Sequence, residues 1–423
     1  MKYNANIVSL FGLYCAQGTP LGFALFALPG ILRAQGAELR FIGLVGLSML
    51  PWAFKFIWAS WLENRRPWGF RSLPAGLAWI QLLKLLSLAA IAALFWFDPA
   101  GHIIGLVVMV TAVNLFYATQ DVAVDALAVR TFAGSRHVNV NVGQVAGFSL
   151  GMLVGGVVSL YVFYRTGWQG TVLLCLLIQV VCHLPFQLHL GHFARQPAEA
   201  EPVAKKGASL RYIFRRKHWG PVILTALLFK SASTLGASLV SPLLVDMGVS
   251  LDEIALMSGS VLIVSYIAGA VASGVLHRWL SSARLTLIGL SGSLLCWLGM
   301  AASLTVDRAS SQWVFTFFVL EGFFFNLCCV ALFAWFMCWS EGEKDGSVVQ
   351  PGTDFTLLQC CEVLGSSTAM VIGGTLAHYL GFANTFYVAA LFGAVIALVI
   401  MRCFRRVPDR THEEPQPLNE VAQ

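Results

Sequence analysis

Four side chains able to pair charges, carry protons or bind a polar solute fall at helical spacing in one apolar run. They are Asn114, Tyr117, Asp121 and Asp125, at intervals of 3, 4 and 4. Residues three and four apart share a helix face, and Gln120 flanks this one. Other ionisable residues stand inside other apolar runs: Lys55, Lys84, Lys230, Glu321, Asp354 and Glu362. If these runs cross a bilayer, each charge near the centre costs at least about 2.5–3.5 kcal/mol. Each then calls for a partner or a water-filled cavity. Lys55 and Asp121 lie at similar depth, which predicts an ion pair, either static or a gate that breaks during a transport cycle. Lys230 shares one side with Ser233, Thr234, Ala237 and Ser241. That pattern suits a cavity wall where a lysine attracts an anionic solute group or exchanges protons, and the position is too deep for snorkelling. Lys84 is a weaker candidate of the same kind. Glu362, with Gly365 and Ser366 one turn on, and Glu321, among Phe315, Phe317, Phe318, Phe323, Phe324 and Phe325, are the candidates for a coupling proton. Asp354 is expected to cap the start of its helix.

Gln17-Gly18-Thr19-Pro20 interrupts the first run. Proline removes a backbone donor and kinks a helix, so Gln17 and freed backbone groups are expected to face a cavity. The alternative is a simple packing kink. Trp52, Trp58, Trp335 and Trp339 are expected at a cavity for a ring-bearing ligand, beyond the core and interface roles of most aromatics. His183, His189 and His192 read as interfacial histidines, since only the last two share a face. No metal site and no cofactor are expected. The ten cysteines contain no CxxC pair and read as free core thiols. No GxxxxGK[ST] loop and no HExxH string occurs, so neither P-loop hydrolysis nor zinc peptidase chemistry is indicated.

The elements that must position these groups follow from composition. The 423 residues are 57% hydrophobic and 11% charged, against about 25% charged in soluble domains, and the mean hydropathy is +0.74. A membrane helix needs about 20 apolar residues. Suitable runs fall near 7–31, 41–61, 75–97, 103–129, 142–163 and 169–190, then near 219–245, 254–276, 285–305, 312–339, 354–377 and 383–401. Barrel strands would alternate over short segments instead. The expectation is an all-α integral membrane bundle of twelve helices in two six-helix halves with pseudo-two-fold symmetry. Its parts are an N-terminal half 1–192, a cytoplasmic central loop 193–218, a C-terminal half 219–401 and a cytoplasmic tail 402–423.

Placing the N-terminus in the cytoplasm puts twenty lysines and arginines on the inner side and only Arg33, Arg40, Arg165 and Arg308 in outer loops. Such a bias orients the chain with both termini inside. The net charge of +6 therefore reflects topology, and no nucleic acid is needed as partner. The first apolar run is too long, and lacks the A-x-A exit, for a cleaved signal peptide. The basic run Arg211, Arg215, Arg216 and Lys217 is expected on anionic headgroups, and the tail is expected to be disordered. The turns WLENRRPWGFRS and LHRWLSSARL, and the pairs Gly155-Gly156 and Gly373-Gly374, echo each other between the halves. Parallel-repeat transporters place their site at the midplane between such halves. The outer loops are too short for a membrane enzyme's acceptor site. The reading is a gradient-driven secondary transporter of a small molecule, working as a monomer in the lipid bilayer.

Three stretches carry a family resemblance. Pro51 to Arg66, PWAFKFIWASWLENRR, resembles the helix-2 signature of the AmpG-like and acetyl-CoA-transporter-like branch of the major facilitator superfamily. Ala118 to Ala126, ATQDVAVDA, is similar to its helix-4 motif, and Asp354 to Gln359, DFTLLQ, to its helix-11 start. The chain departs from the pattern at Trp58-Ala59-Ser60 and Glu63-Asn64-Arg65, which places the helix 2–3 turn contacts in question. Within the branch, length fits the RhtX/FptX-like siderophore permeases. The resemblance implies single-component uptake of an iron-siderophore across the bacterial inner membrane; with a coupling proton on Glu362 or Glu321, the expectation is proton-coupled import by alternating access. Muropeptide, acyl-CoA or metal-linked permeases are the alternatives. By resemblance, Lys55, Gln120, Asp121 and Asp125 matter for function.

Overall fold

The structure, a computed structural model, describes residues 2–35, 44–70, 72–97, 99, 101–132, 136–195, 207–305, 310–341, 350–407 and 409–411. Residues 196–206 of the central loop, the end of the tail, and Arg40, Arg308 and Lys344 lie outside the described residues. The secondary structure described is entirely helical. Helix α1 spans 2–34, with a π-turn at Phe23–Ala27. Helix α2 spans 44–64 in three pieces that break at Lys55. Helix α3 is Ala75–Ala93 and α4 is Ile103–Thr131. Helices α5 (136–166) and α6 (168–195) meet at Gly167. Helix α7 spans 219–246 with a break at Phe229 and Lys230. Helix α8 spans 251–276, α9 is Ser282–Thr305 and α10 is Ser311–Ser340. Helices α11 (351–380) and α12 (382–406) meet at Gly381.

Among the described residues nine helical stretches are long and apolar enough to cross a membrane. Two of them, 136–195 and 351–406, are folded double. Gly167 (φ 73°) and Gly381 (φ 77°) take left-handed conformations that only glycine adopts without strain. The reversal is visible across α5 and α6: the Ser159 hydroxyl lies 3.9 Å from Cys175 Sγ, although a straight helix would separate residues 16 apart by about 24 Å. With the shorter α2, the total is twelve. The helices coincide with the twelve apolar runs to within about six residues at each end.

Close helix packing repeats between the halves. In α5, Gly147, Gly151 and Gly155 lie on the carbonyls of Phe11, Cys15 and Thr19 in α1, where an added Cβ would come within 2.6, 2.1 and 1.9 Å. In α11, Gly365 and Gly373 lie on the carbonyls of Leu227 and Leu235 in α7, at 1.8 and 2.8 Å. Apolar lipid gives helices little hydrophobic reason to associate, so small residues that let backbones touch supply the adhesion. Of the two echoed pairs, Gly155 and Gly373 make these contacts, while Gly374 faces open space.

The apolar core divides unevenly. At the bundle end where α1 begins and α12 ends, here the terminal end, one continuous cluster joins the halves, Leu10, Val138 and Val140 packing with Phe333, Trp335 and Phe355. At the opposite end the halves keep separate cores. One holds Phe23, Leu28, Leu106 and Phe163; the other holds Leu239, Trp297, Val314 and Phe386.

The expected opening of α1 at Pro20 is not what the fold does. Helix α1 stays helical through Gly22. Proline frees the carbonyl four residues earlier, here that of Ala16, and Gln179 Nε2 of α6 donates to it at 2.9 Å. The freed group is satisfied within the N-terminal half.

Candidate functional site

Two charge pairs face each other where the halves meet. In the N-terminal half, the Lys55 ammonium binds Asp121 and also Gln359 of α11, so one side chain ties α2 and α4 to the other half. Its side chain is 4% exposed, its ammonium lies 5.6 Å from the Trp52 ring centre, and it occupies the break in α2. Asp125, one turn beyond Asp121, accepts from the Tyr14 hydroxyl at 2.8 Å and from Gln144 at 3.3 Å. Trp52 donates to Asn114 at 3.0 Å and meets Phe148 edge-on.

In the C-terminal half, Lys230 donates to Glu362 at 2.7 Å. Lys230 stands eleven residues after Trp219, the first residue of α7, and Glu362 eleven after Pro351, the first of α11. Both helices enter from the terminal end, so the two groups share a depth of about 16 Å, near the middle of a bilayer core of about 30 Å. The rings of Phe229, Phe325 and Phe333 surround the ammonium with centres 5.5, 6.0 and 5.1 Å away. Gln359 and Glu362 are one turn apart on α11, so this helix touches both pairs. Glu321 stands apart: it is 2% exposed, accepts from the Ser233 hydroxyl and adjoins Ser293. A small cavity lined by Ser233, Ser293, Trp297 and Phe325 lies nearby.

Toward the terminal end the halves are latched. The Glu63 carboxylate accepts from the backbone amides of Gly352 (3.3 Å) and Thr353 (2.9 Å) and from the Thr353 hydroxyl (2.8 Å). It therefore caps the first turn of α11 from the other half, where the helix dipole favours a negative charge. Arg130 pairs with the same carboxylate at 2.9 Å. On the other side of the seam His137 of α5 bonds Glu341, and Asn141 contacts Met337 Sδ at 3.3 Å. Among the described residues, every hydrogen bond between α1–α6 and α7–α12 lies between this end and mid-depth. The Glu63 latch is one the sequence reading missed: the Glu63-Asn64-Arg65 turn marked the place but not the partner.

Several expected site residues do other work. Tyr117 donates to Gln179 at 2.6 Å, and Gln120 donates to the Ile80 carbonyl at 3.1 Å; both brace the interior of the N-terminal half. Gln17 is fully buried one turn past Tyr14, and neither of its amide atoms has a hydrogen-bond partner among the described residues. Asp354 does not cap its helix; it pairs with Arg216 and accepts from Gln350 at 2.7 Å. That pairing takes Arg216 away from the headgroup role expected of it, since its side chain is 7% exposed. Lys84 is half-buried and donates to Gln81 and Gln187 at 2.7 and 2.8 Å. His183 is not interfacial: it is 3% exposed and its ring lies 2.8 Å from the Gln179 carbonyl. Trp335 packs on Phe404 at 4.6 Å and Trp339 lies under Arg216 at 4.5 Å, so these two tryptophans close the terminal end. Trp58 donates to Thr119 at 3.1 Å. The string Gly147-Phe148-Ser149-Leu150-Gly151 has nucleophile-elbow spacing but lies inside helix α5, without the strand-to-helix turn that exposes such a serine. Among the described residues no three His, Cys, Asp or Glu side chains are grouped to hold a metal ion, and the cysteines are free thiols.

Comparison with known proteins agrees with this architecture. The chain is 25% identical over 425 aligned residues to the anhydromuropeptide permease of Escherichia coli K12, covering 96% of this chain and 81% of that protein. It is 21% identical to putative transporter AmpG 4 of Rickettsia felis, covering 94% and 95%. Among solved structures, the Escherichia coli fucose:proton symporter FucP superposes with a TM-score of 0.66 at 16% identity, covering 94% of this chain and 98% of that one. A bacterial homologue of the iron transporter ferroportin, in an outward-facing state, gives 0.65 at 15% identity, covering 95% and 100%. The family model of the Major Facilitator Superfamily matches residues 10–340, and with its twelve-helix fold the chain belongs to that superfamily of membrane transporters.

Proposed function

We propose that the protein is a proton-coupled importer that works by alternating access, with a muropeptide-type solute as cargo. The observation that carries the reading is the two ion pairs at mid-depth, buried Lys55–Asp121 and partly buried Lys230–Glu362, joined through α11. Charges held there at such cost are the groups a transport cycle can make and break. Residues 1–192 and 219–401 serve as the two moving bodies, 193–218 as their linker and 402–423 as a tail. The positive-inside bias puts the terminal end in the cytoplasm, in the inner membrane of a bacterium. The joined core and the Glu63 and His137 latches then describe a state closed to the cytoplasm, with the two separate cores on the outer side. Each chain carries a complete seam and acts as a monomer.

A relative 25% identical over 96% of this chain is named for anhydromuropeptides, which favours that cargo over the ferri-siderophore expected from chain length. The test is uptake of labelled 1,6-anhydro-N-acetylmuramyl tripeptide and of a ferri-siderophore by right-side-out vesicles, with and without a protonophore. Protonophore-sensitive uptake of the muropeptide supports the reading. Uptake of the siderophore alone, or muropeptide uptake that a protonophore leaves untouched, refutes it.

A further inference from the structure

We propose that Lys230 binds a carboxylate of the transported solute and that Glu362 takes up one proton as it does so. The inference rests on the transporter reading above and assigns a chemical class to its cargo. Of the two seam lysines, Lys55 is held on both sides, by Asp121 and Gln359, with its side chain 4% exposed. Lys230 has one carboxylate partner, and its side chain is 21% exposed. It is the cation a solute can reach. Phe229, Phe325 and Phe333 hold its ammonium over their rings without offering a competing anion. The break in α7 at Phe229 and Lys230 places the group between two helical segments.

Glu362 is 6% exposed, and its second oxygen has no hydrogen-bond partner among the described residues. The charged groups that act on it are Lys230 of α7, Lys55 of α2 and Asp121 of α4; the thiols of Cys329 in α10 and of Cys360 and Cys361 in α11 also adjoin it. Lys55 is already committed to Asp121. When a solute carboxylate draws Lys230 away, Glu362 is left as a buried anion without a partner, which is prohibitively costly. The exchange balances as follows. One N–H···O bond from Lys230 to Glu362 breaks and one to the solute forms. Glu362 accepts one proton from water on the open side, and Lys230 keeps its proton. One negative charge and one positive charge have entered, so the site stays neutral. Release on the other side reverses both steps.

The test is calorimetric binding to purified protein near neutral pH, in buffers of different ionisation enthalpy, which counts protons taken up. The probes are anhydro-N-acetylmuramyl tripeptide with its carboxylates free and with them amidated. Wild type should prefer the acid by about ten- to a hundredfold, the worth of a charged hydrogen bond, and take up about one proton per ligand. E362Q should keep the preference and take up none. K230M strands a buried anion and is prone to misfold, so K230M/E362Q, an uncharged pair, is the informative variant; it should lose the preference. Equal binding of acid and amide by wild type overturns this inference and leaves the transporter reading standing, as does proton uptake by E362Q or a retained preference in the double variant. Binding of neither probe by wild type overturns the muropeptide reading, and this inference with it.

Discussion

Lys55→Met removes the one ammonium that, among the described residues, bridges the halves. In the folded protein it leaves the Asp121 carboxylate buried at 4% exposure without its cation, four residues from a second buried carboxylate, Asp125. It also leaves the Gln359 carbonyl without its donor. Breaking a buried pair from one side costs about 3–5 kcal/mol, and an orphaned acceptor about 1–3 kcal/mol. Since the two effects overlap, the expected loss is about 4 kcal/mol. Replacing both partners with uncharged groups of similar shape removes the larger part of that penalty. The double variant K55M/D121N should therefore lie within about 2 kcal/mol of wild type. The assay is the apparent unfolding temperature of the detergent-purified protein, with size-exclusion profiles taken after heating. The required order is wild type, then K55M/D121N, then K55M well below. A double variant no more stable than K55M would refute the reasoning, because the stranded carboxylate would then not be the source of the loss. A single variant indistinguishable from wild type would do the same.

Three further outcomes follow from the geometry. Glu63→Gln removes the charge that caps α11 across the seam and pairs with Arg130; it should weaken closure of the terminal end by about 1–2 kcal/mol, read as faster labelling of a cysteine placed at Asn141. Gly365→Ala, where a Cβ would lie 1.8 Å from the Leu227 carbonyl, should sharply lower the yield of folded protein, while Gly374→Ala, with nothing within 4 Å, should not. Gln179→Leu should destabilise by about 1–3 kcal/mol, since the Ala16 carbonyl and the Tyr117 hydroxyl both lose a partner; adding Pro20→Ala restores a helical donor to Ala16 and should recover part of the loss in unfolding temperature.

The helices were legible because twelve long apolar runs leave few alternatives, and their ends moved by only a few residues on folding. The Lys55–Asp121 contact was legible because depth alone aligns the two on neighbouring helices. Lys230 and Glu362 were each singled out, but not as partners: 132 residues separate them, and no periodicity within one helix links α7 to α11. A signal was available, since both stand eleven residues into helices that start at the same end. Tyr117 shared a spacing pattern with Asp121 yet turns to Gln179, because a face defined by steps of 3 and 4 spans a wide arc and its edge meets a different neighbour. Pro20 pointed to an open backbone, and the side chain that closes it comes from α6, 163 residues along the chain from the carbonyl it satisfies. Glu63 was read as a departure from a motif. Two of its partners across the seam are backbone amides of α11, which carry no residue-type signature.

Alternating access across this seam is the central claim, and cross-linking tests it most directly. Asn141 and Met337 touch at the terminal end from opposite halves. In a Cys338→Ala background that itself transports, N141C/M337C should lose uptake of the labelled solute on oxidation and regain it on reduction. Full uptake by the protein shown to be cross-linked would contradict the account, because cargo could not then leave by a seam that never opens.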